Sequence, residues 1–201
     1  MLIRRWMTRN PAVIAPTDTL AVARRKMDKG SFRRLPVVEN GRLVGIITDR
    51  DLRQYVGQLE HTRIDAVMAK PVITVAPDML LDQAANLLVE HKVGGLPVME
   101  GGKLVGIITA IDMLRAFGTV LGTAEEGVSR IDLAFSGNSF DLVTIAELVG
   151  LSSGEVLGMG TYEGEAGRKD QIVYVRVRTG DARRTADMLT DQGFTVVAIH
   201  Q

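Results

Sequence analysis

Two pairs of side chains with the same spacing could bind a small polar ligand. Thr48 precedes Asp51 by three positions, Thr109 precedes Asp112 by three positions, and each pair follows a short apolar run. A carboxylate at the mouth of a cleft can accept charge-assisted hydrogen bonds from a cis-diol, and free N–H groups at the start of a following helix suit a phosphate. The same spacing also predicts a structural capping box, so both interpretations stay open.

Basic residues distinguish the two pairs. Arg33, Arg34 and Arg50 lie near the first pair in the sequence. Near the second pair, glycine and apolar residues hold the equivalent positions, and Lys92 and His91 are the remaining basic groups. Arginine binds phosphate oxygens through parallel hydrogen bonds. We therefore expect two unequal sites, of which the first favours a ligand with more phosphate.

The composition argues against several classes of site. The 201 residues include no cysteine, which excludes thiol nucleophiles, disulfides and cysteine-ligated metals. The three histidines are not spaced as metal ligands and no nucleophile–base pair is recognisable, so we predict neither a metal site nor an enzyme. Basic and acidic residues balance at 24 each, which favours neither nucleic acid nor an anionic membrane. No apolar run reaches the roughly 20 residues of a membrane helix, and we expect a cytoplasmic protein.

The first part of the chain contains an internal repeat. Met7 and Met68 are 61 positions apart, and more than half of residues 35–53 recur at that offset. Each copy predicts an extended segment that ends at a proline, an amphipathic helix, a two-stranded hairpin and a final helix. In the first copy, Gly30 is placed to end the first helix, and Asn40-Gly41 predicts a tight hairpin turn.

A different pattern begins at Ser129, after a predicted glycine-rich linker over residues 118–127. Strands and helices alternate there in the order β-α-β-β-α-β, which is a ferredoxin-like unit. Gly158-Met159-Gly160 lacks the third glycine of a dinucleotide-binding fingerprint, so we interpret it as strand glycines. Gly137-Asn138 lies at a strand–helix turn where an effector could bind.

The repeated motifs resemble a CBS domain, twice over. The first copy carries Leu35-Pro36-Val37-Val38 and the run from Leu43 to Asp51, and the second carries Leu96-Pro97-Val98 and the run from Gly106 to Asp112. The C-terminal part resembles an ACT or ACT-like regulatory domain more weakly. A CBS pair followed by an ACT-like unit is similar to the acetoin-utilisation protein B family.

The resemblance implies an α+β fold: tandem CBS repeats, each β-α-β-β-α, plus a ferredoxin-like ACT-type domain. The implied bounds are 7–57, 65–118 and 129–201. Such pairs bind adenine nucleotides or related adenosyl ligands in the clefts between their repeats, with the aspartate near the ribose and the threonine near phosphate. Carried onto this sequence, the implied ligand-binding residues are Thr48, Asp51, Thr109, Asp112, Ile14, Ala15, Pro16, Arg33, Arg34, Pro36, Arg50, Val75, Pro77, Lys92, Val93, Gly95 and Pro97.

Two functions remain after this reasoning. The first is a non-catalytic regulatory sensor that binds AMP, ADP or ATP, or less favourably NAD or S-adenosylmethionine, and transmits binding to the ACT-like domain or to a regulated protein partner. The second is an interaction or assembly protein whose clefts bind no ligand. The resemblance also implies a homodimer that associates through helices of the CBS pair.

Overall fold

A computed structural model describes residues 1–121, 127–135, 142–164 and 171–201. The chain forms two compact units, Met1–Leu114 and Arg115–Gln201. None of the described helices is long and apolar enough to span a membrane. The predicted turn at Gly137-Asn138 and residues 122–126 of the predicted linker lie outside the described residues. The linker prediction was wrong at its start, because the last helix of the repeats continues to Val120.

The two repeats contain a similar series of elements. The first has β1 (Thr8–Arg9), α1 (Leu20–Gly30), β2 (Arg34–Glu39), β3 (Arg42–Thr48) and α2 (Asp49–Arg53). The second has α3 (Leu81–Glu90), β4 (Gly95–Glu100), β5 (Lys103–Thr109) and α4 (Ala110–Val120). The 3₁₀ turns Ile3–Arg5 and Ile64–Ala66 occupy equivalent places in the two copies.

The predicted hairpins are present. β2 pairs with β3 and β4 with β5, both antiparallel, and each pair has a bulge at the equivalent valine. Asn40 and Gly41 have φ angles of 49° and 77°, so both turn residues adopt the left-handed region that Asn-Gly tolerates. α1 ends at Gly30, as predicted. The residue in the left-handed conformation is the next one, Ser31, with φ 52°.

The N-terminal segments of the two repeats are exchanged. β1 pairs with β5 of the second repeat, through Thr8 opposite Ile107. The equivalent residue of the second repeat, Ala69, bridges to Ile46 on β3 of the first. Ile64 and Met68 accordingly lie in the hydrophobic core of the first repeat. Each repeat therefore completes the sheet of the other, as expected of two units too small to bury their own cores.

A glycine in each hairpin makes this exchange sterically feasible. A Cβ placed at Gly45 would lie 2.9 Å from Met68 Cγ, and one at Gly106 would lie 2.6 Å from Met7 Sδ and 3.0 Å from the Thr8 carbonyl oxygen. The two methionines and two glycines that define the repeat in the sequence are thus contact partners across the two copies.

The second unit contains β6 (Val128–Phe135), α5 (Leu142–Leu151), β7 (Glu155–Glu163), β8 (Gln171–Arg178), α6 (Ala182–Asp191) and β9 (Thr195–His200). This is the predicted β-α-β-β-α-β order. All neighbouring strands are antiparallel, in the order β7-β8-β6-β9. Alternate residues of β6 and β8 pack with both helices in one core. The helices cover one face of the sheet, and side chains such as Arg130 and Tyr174 project from the other.

Candidate functional site

A cleft of about 430 Å³ in the first unit contains the first threonine–aspartate pair. Small-molecule sites typically measure about 300–1,000 Å³. Both repeats line this cleft. The first contributes Arg33, Arg34 and residues within 46–53, and the second contributes residues within 69–73 and the segment 92–97. The exchange of N-terminal segments explains the shared lining, because it places Ala69 against β3.

The charges around the cleft are mostly positive. Five cationic side chains line it against two carboxylates, which gives it an excess of positive charge although the chain as a whole has none. An anionic ligand is therefore favoured at this place. The cations are Arg33, Arg34, Arg50, Arg53 and Lys92, and the carboxylates are Asp49 and Asp51.

Thr48 and Asp51 form a tight local unit at the start of α2. Asp51 Oδ2 accepts hydrogen bonds from the Thr48 N–H at 2.8 Å and from the Thr48 hydroxyl at 2.7 Å. Thr48 has an extended conformation, as an N-cap residue should. Asp51 Oδ1 accepts no hydrogen bond from the part of the chain that the structure describes. The capping geometry thus leaves one carboxylate oxygen available to a ligand.

Arg34 reaches across the cleft to the second repeat. A Cβ placed at Gly95 would lie 2.7 Å from Arg34 Nη1 and 3.0 Å from its Cδ, and a Cβ at Gly94 would also collide with the guanidinium. Burial lowers the pKa of Arg34, whereas the charges of Asp49 and Asp112 act to raise it. In the sequence, Gly94 and Gly95 suggested a second site with few basic groups. In the structure, these two glycines make room for Arg34 of the first repeat.

Asp49 is held by Arg53 one turn later on α2. Arg53 Nη2 lies 2.7 Å from Asp49 Oδ2. The hydrogen bond from Arg53 lowers the pKa of Asp49, and the charges of Arg53 and Arg33 add to this effect. Part of the positive charge of the cleft is thereby neutralised internally, and Arg33, Arg34 and Arg50 supply most of the remainder.

The second pair repeats the local geometry. Asp112 Oδ2 accepts from the Thr109 N–H at 2.9 Å and from the Thr109 hydroxyl at 2.6 Å, and the Asp112 N–H donates to Thr109 Oγ1 at 3.4 Å. Neither residue lines the cleft just described. α4, which this pair begins, extends over eleven residues, whereas α2 has five.

The structure corrects one grouping made from the sequence. Lys92 was placed near Thr109 and Asp112, but it lines the cleft that contains Thr48 and Asp51, together with the predicted residues Val93, Gly95 and Pro97. The extended segment that accompanies Thr48 comes from the second repeat, through Val72 and Ile73. The repeats cross, so sequence proximity did not predict spatial proximity here.

The remaining predicted residues lie outside the lining of this cleft. Ile14 and Val75 are buried at 1% and 4% exposure, and their backbone groups bond to the neighbouring hairpin strands. The Ala15 N–H donates to Asp18 Oδ2 at 3.1 Å. Backbone carbonyls of Pro16, Pro36 and Pro77 accept from Asp65, Ile14 and Arg4, respectively. These backbone groups already serve the fold. Among the described residues, no group of histidine, aspartate or glutamate could hold a metal ion.

Comparisons with known proteins agree with this architecture. The family model described as "CBS domain" matches residues 3–58 and 64–119. The uncharacterized protein MJ1225 of Methanocaldococcus jannaschii is 34% identical over 131 residues, and an inosine-5'-monophosphate dehydrogenase of Korarchaeum cryptofilum is 32% identical over 138 residues. The matched regions are 58% and 68% of this chain but only 47% and 29% of those two proteins.

Solved structures are similar over the repeats. A protein described as an acetoin utilization protein (AcuB) from Vibrio cholerae is 34% identical, with a TM-score of 0.56, over 63% of this chain and 96% of that one. The CBS domain pair of MJ0100, in complex with 5'-methylthioadenosine and S-adenosyl-L-methionine, is 30% identical (TM-score 0.54), over 59% and 97% of the two chains. CBSX2, in complex with AMP, is 26% identical (TM-score 0.53), over 60% and 98%.

The family model covers more than half of the chain, and the two matched segments coincide with the two exchanged repeats that form the cleft. This chain belongs to the CBS-domain family, as a protein with a tandem pair of CBS domains.

Proposed function

We propose that this chain is a non-catalytic regulatory protein that binds an adenosyl ligand in the cleft of Thr48 and Asp51. One observation carries the proposal: a carboxylate with one available oxygen and an excess of cationic side chains converge in a single cleft of suitable volume. A ribose cis-diol and a phosphate are chemically complementary to these two features.

Each part of the ligand has a complementary surface in this proposal. Asp51 Oδ1 accepts from the ribose hydroxyls, and Arg34 and Arg50 bind phosphate. The apolar side chains of Val72 and Ile73 contact the adenine ring. The surplus of positive charge favours AMP, ADP and ATP over S-adenosylmethionine, which carries a sulfonium cation, and over NAD.

Ligands bound by similar proteins support the proposal. The CBS pair of MJ0100 was solved with two adenosyl compounds and CBSX2 with AMP. All three compounds contain adenosine, and they differ in the group attached at the 5' position. Arg33, Arg34 and Arg50 would discriminate between such ligands by the chemistry of this 5' group.

The test is a calorimetric titration of the full chain with AMP, ADP, ATP, NAD and S-adenosylmethionine. A matched pair of variants, Asp51→Asn and Asp112→Asn, removes the same charge from the same capping position in each repeat. We expect Asp51→Asn to weaken nucleotide binding by about tenfold, the loss of a charge-assisted hydrogen bond. We expect Asp112→Asn to have a much smaller effect. Equal affinities in the two variants, or no binding at millimolar concentration, would reject the cleft as the site.

A second function is favoured by a different observation. Asp51 Oδ2 already bonds to both polar groups of Thr48, so the pair is complete as a capping box. The chain would then be an interaction or assembly protein whose clefts bind no ligand. In that case both variants lose stability alike, and neither changes any nucleotide affinity.

The wider regulatory scheme is part of the same proposal. α4 exposes Ile111 and Leu114, at 57% and 65%, one turn apart. This apolar pair supports a homodimer that associates through helices, and Leu114→Glu should shift the sedimentation coefficient to that of a monomer. We also propose domain bounds of 7–57, 65–118 and 129–201, an ACT-like identity for the last, and transmission of ligand binding to it or to a partner protein.

A further inference from the structure

Arg34 connects the first cleft with the threonine–aspartate pair of the second repeat. It begins β2, directly opposite Thr48 across the first hairpin. Its side chain extends to the second repeat, where a Cβ placed at Gly95 would lie 2.7 Å from Arg34 Nη1. Gly95 is in turn directly opposite Thr109 across the second hairpin. The main chain of Arg34 therefore belongs to one pair, and its guanidinium lies against the residue opposite the other.

The Arg34 side chain is positioned by packing and charge. It is half-buried, and within the described residues no group accepts a hydrogen bond from its guanidinium. A guanidinium presents five N–H donors in a planar fork. Because hydrogen bonds to the protein do not fix this fork, it can turn toward a phosphate bound in the cleft, which accepts two parallel hydrogen bonds.

Two carboxylates attract the Arg34 cation, one at the start of each of two helices. Asp49 is the first residue of α2, and Asp112 lies in the first turn of α4. The charges of both act to raise the pKa of Arg34, whereas its burial lowers the pKa. Asp49 also pairs with Arg53, at 2.7 Å. Arg34 therefore links the cleft electrostatically to the beginning of α4.

A phosphate in the cleft changes this balance. It brings about two negative charges into the space that Arg34 and Thr48 line together. One planar guanidinium cannot direct its fork at a phosphate and keep its full attraction to Asp112, so the two anions compete. A ligand without phosphate leaves the attraction as it is. Because binding equilibria are reciprocal, the attraction to Asp112 also affects how tightly the phosphate is held.

We infer that Arg34 couples the cleft to the first turn of α4, because a bound phosphate and the Asp112 carboxylate compete for its guanidinium. The inference rests on the proposed nucleotide binding and adds that only ligands with a phosphate change the surroundings of Asp112. Asp112 lies between Ile111 and Leu114, the exposed pair that we propose for helix association. The 5' group of the ligand therefore decides whether binding is transmitted to α4, and the adenosine part contributes affinity alone.

The test is a double-mutant cycle in which AMP and adenosine are titrated into the full chain by calorimetry. Asp112→Asn should tighten AMP binding by about twofold in the wild type, because Arg34 then attracts phosphate with less competition. In an Arg34→Gln background the same change should not affect AMP binding. The affinity for adenosine should not respond to Asp112→Asn in either background. Asp82→Asn, at an exposed position in the first turn of α3, controls for the general loss of a negative charge and should leave AMP affinity unchanged.

Amide chemical shifts of the isotope-labelled full chain provide a second measurement in case Arg34→Gln no longer folds or binds AMP. Saturating AMP should shift the amide signals of Thr109 and Asp112 in the wild type, whereas saturating adenosine should not. Arg33→Gln is the matched control, because it removes the neighbouring positive charge of the same cleft and keeps Arg34. The AMP-dependent shifts should persist in this variant.

The outcomes distinguish this inference from the proposed function. The inference is overturned if AMP binds but Asp112→Asn gives no gain in affinity, or the same gain in both backgrounds. The same gain from Asp82→Asn, or equal shifts of Thr109 and Asp112 with AMP and adenosine, also overturns it. If the wild type binds neither AMP nor adenosine at millimolar concentration, the proposed function fails together with the inference.

Discussion

At the end of their hairpins the first repeat reads Thr-Asp-Arg-Asp and the second reads Thr-Ala-Ile-Asp. Both threonines hold their aspartates with nearly the same bonds. The residues in between differ: Asp49 and Arg50 are charged, and Ala110 and Ile111 are not. The threonine–aspartate motif therefore combines two separate roles. The capping geometry belongs to the fold and is shared, whereas the charge around it belongs to the first cleft.

The glycine pair of the second repeat belongs to the same comparison. Gly94 and Gly95 stand where the first repeat has Arg33 and Arg34. Because the Arg34 side chain lies against both glycines, the difference between the repeats is complementary. One repeat supplies a large cation and the other supplies the space that it occupies.

Substitution of the hairpin glycines Gly45 and Gly106 is expected to lower the free energy of unfolding the most. The two variants test whether both glycines are packed equally tightly against the exchanged segments. Gly106→Ala should lower the free energy of unfolding by about 1–3 kcal/mol, because the new Cβ meets the Thr8 carbonyl as well as Met7. Gly45→Ala should cost less, since the three atoms nearest to a Cβ there all belong to the Met68 side chain and none is backbone. Urea unfolding measures both. A larger loss at Gly45 would contradict the contacts described here.

A double-mutant cycle tests the complementarity of Arg34 and Gly95. Gly95→Ala should destabilise the protein by about 1 kcal/mol, because the new methyl group displaces the Arg34 side chain. In an Arg34→Ala background the same change should cost almost nothing. Urea unfolding of the four proteins gives the coupling energy. Additive effects would mean that the two residues do not interact.

The capping pairs test how far the repeats are equivalent. Asp51→Ala and Asp112→Ala should each lower the free energy of unfolding by about 1 kcal/mol, since each removes one side of a capping box. Thermal unfolding of the ligand-free protein measures both losses. A clear difference between them would show that the aspartates differ in the fold itself, and not only in their surroundings.

The smallest expected loss of stability comes from removing the ion pair of Asp49 and Arg53, which the second repeat lacks. Arg53→Leu, which copies Leu114, should cost about 0.3–0.5 kcal/mol, as for an exposed pair one helical turn apart. The pKa of Asp49 is lowered in the folded protein. Its contribution is therefore present above about pH 4, the unfolded value, and is lost as the pH falls through the lower folded value. Unfolding of wild type and variant at pH 7 and pH 3 should show a smaller difference at pH 3 than at pH 7.

The sequence predicted the elements better than their arrangement. The hairpins, their Asn-Gly turn and the amphipathic helices follow from local patterns that hold wherever a segment is placed. The exchange of N-terminal segments was not predictable in this way, because β1 has only two residues and no periodicity of its own. The one available signal was that both copies carry a methionine and a glycine at the same spacing, Met7 and Gly45 in the first and Met68 and Gly106 in the second. In the structure, each methionine contacts the glycine of the other copy.

For the C-terminal unit, the sequence predicted the elements but not the polar cluster on the sheet. Its order of elements follows from the succession of strand and helix patterns, and the buried valines of β8 follow from their alternation. The cluster of Asp132 with Arg130 and Tyr162 was not predictable in this way, because outward-facing polar residues on a strand ordinarily indicate solvent. β9 also has a bulge where it pairs with Asp132 of β6. The bulge shifts the alternation of side chains along β9, so that His200 projects on the same face as Arg130. No sequence pattern marks that bulge.

The exchanged segments also bear on the ancestry of this chain. A single repeat has no partner sheet on which its N-terminal segment can pair. We expect such a repeat to fold only by exchanging that segment with a second copy. Such an assembly would have two identical clefts related by an exact twofold axis. Joining the copies in one polypeptide removes that constraint, since each position can then vary independently. An arginine on one side and a glycine on the other become compatible, and a symmetric pair of clefts can become two distinct receptors.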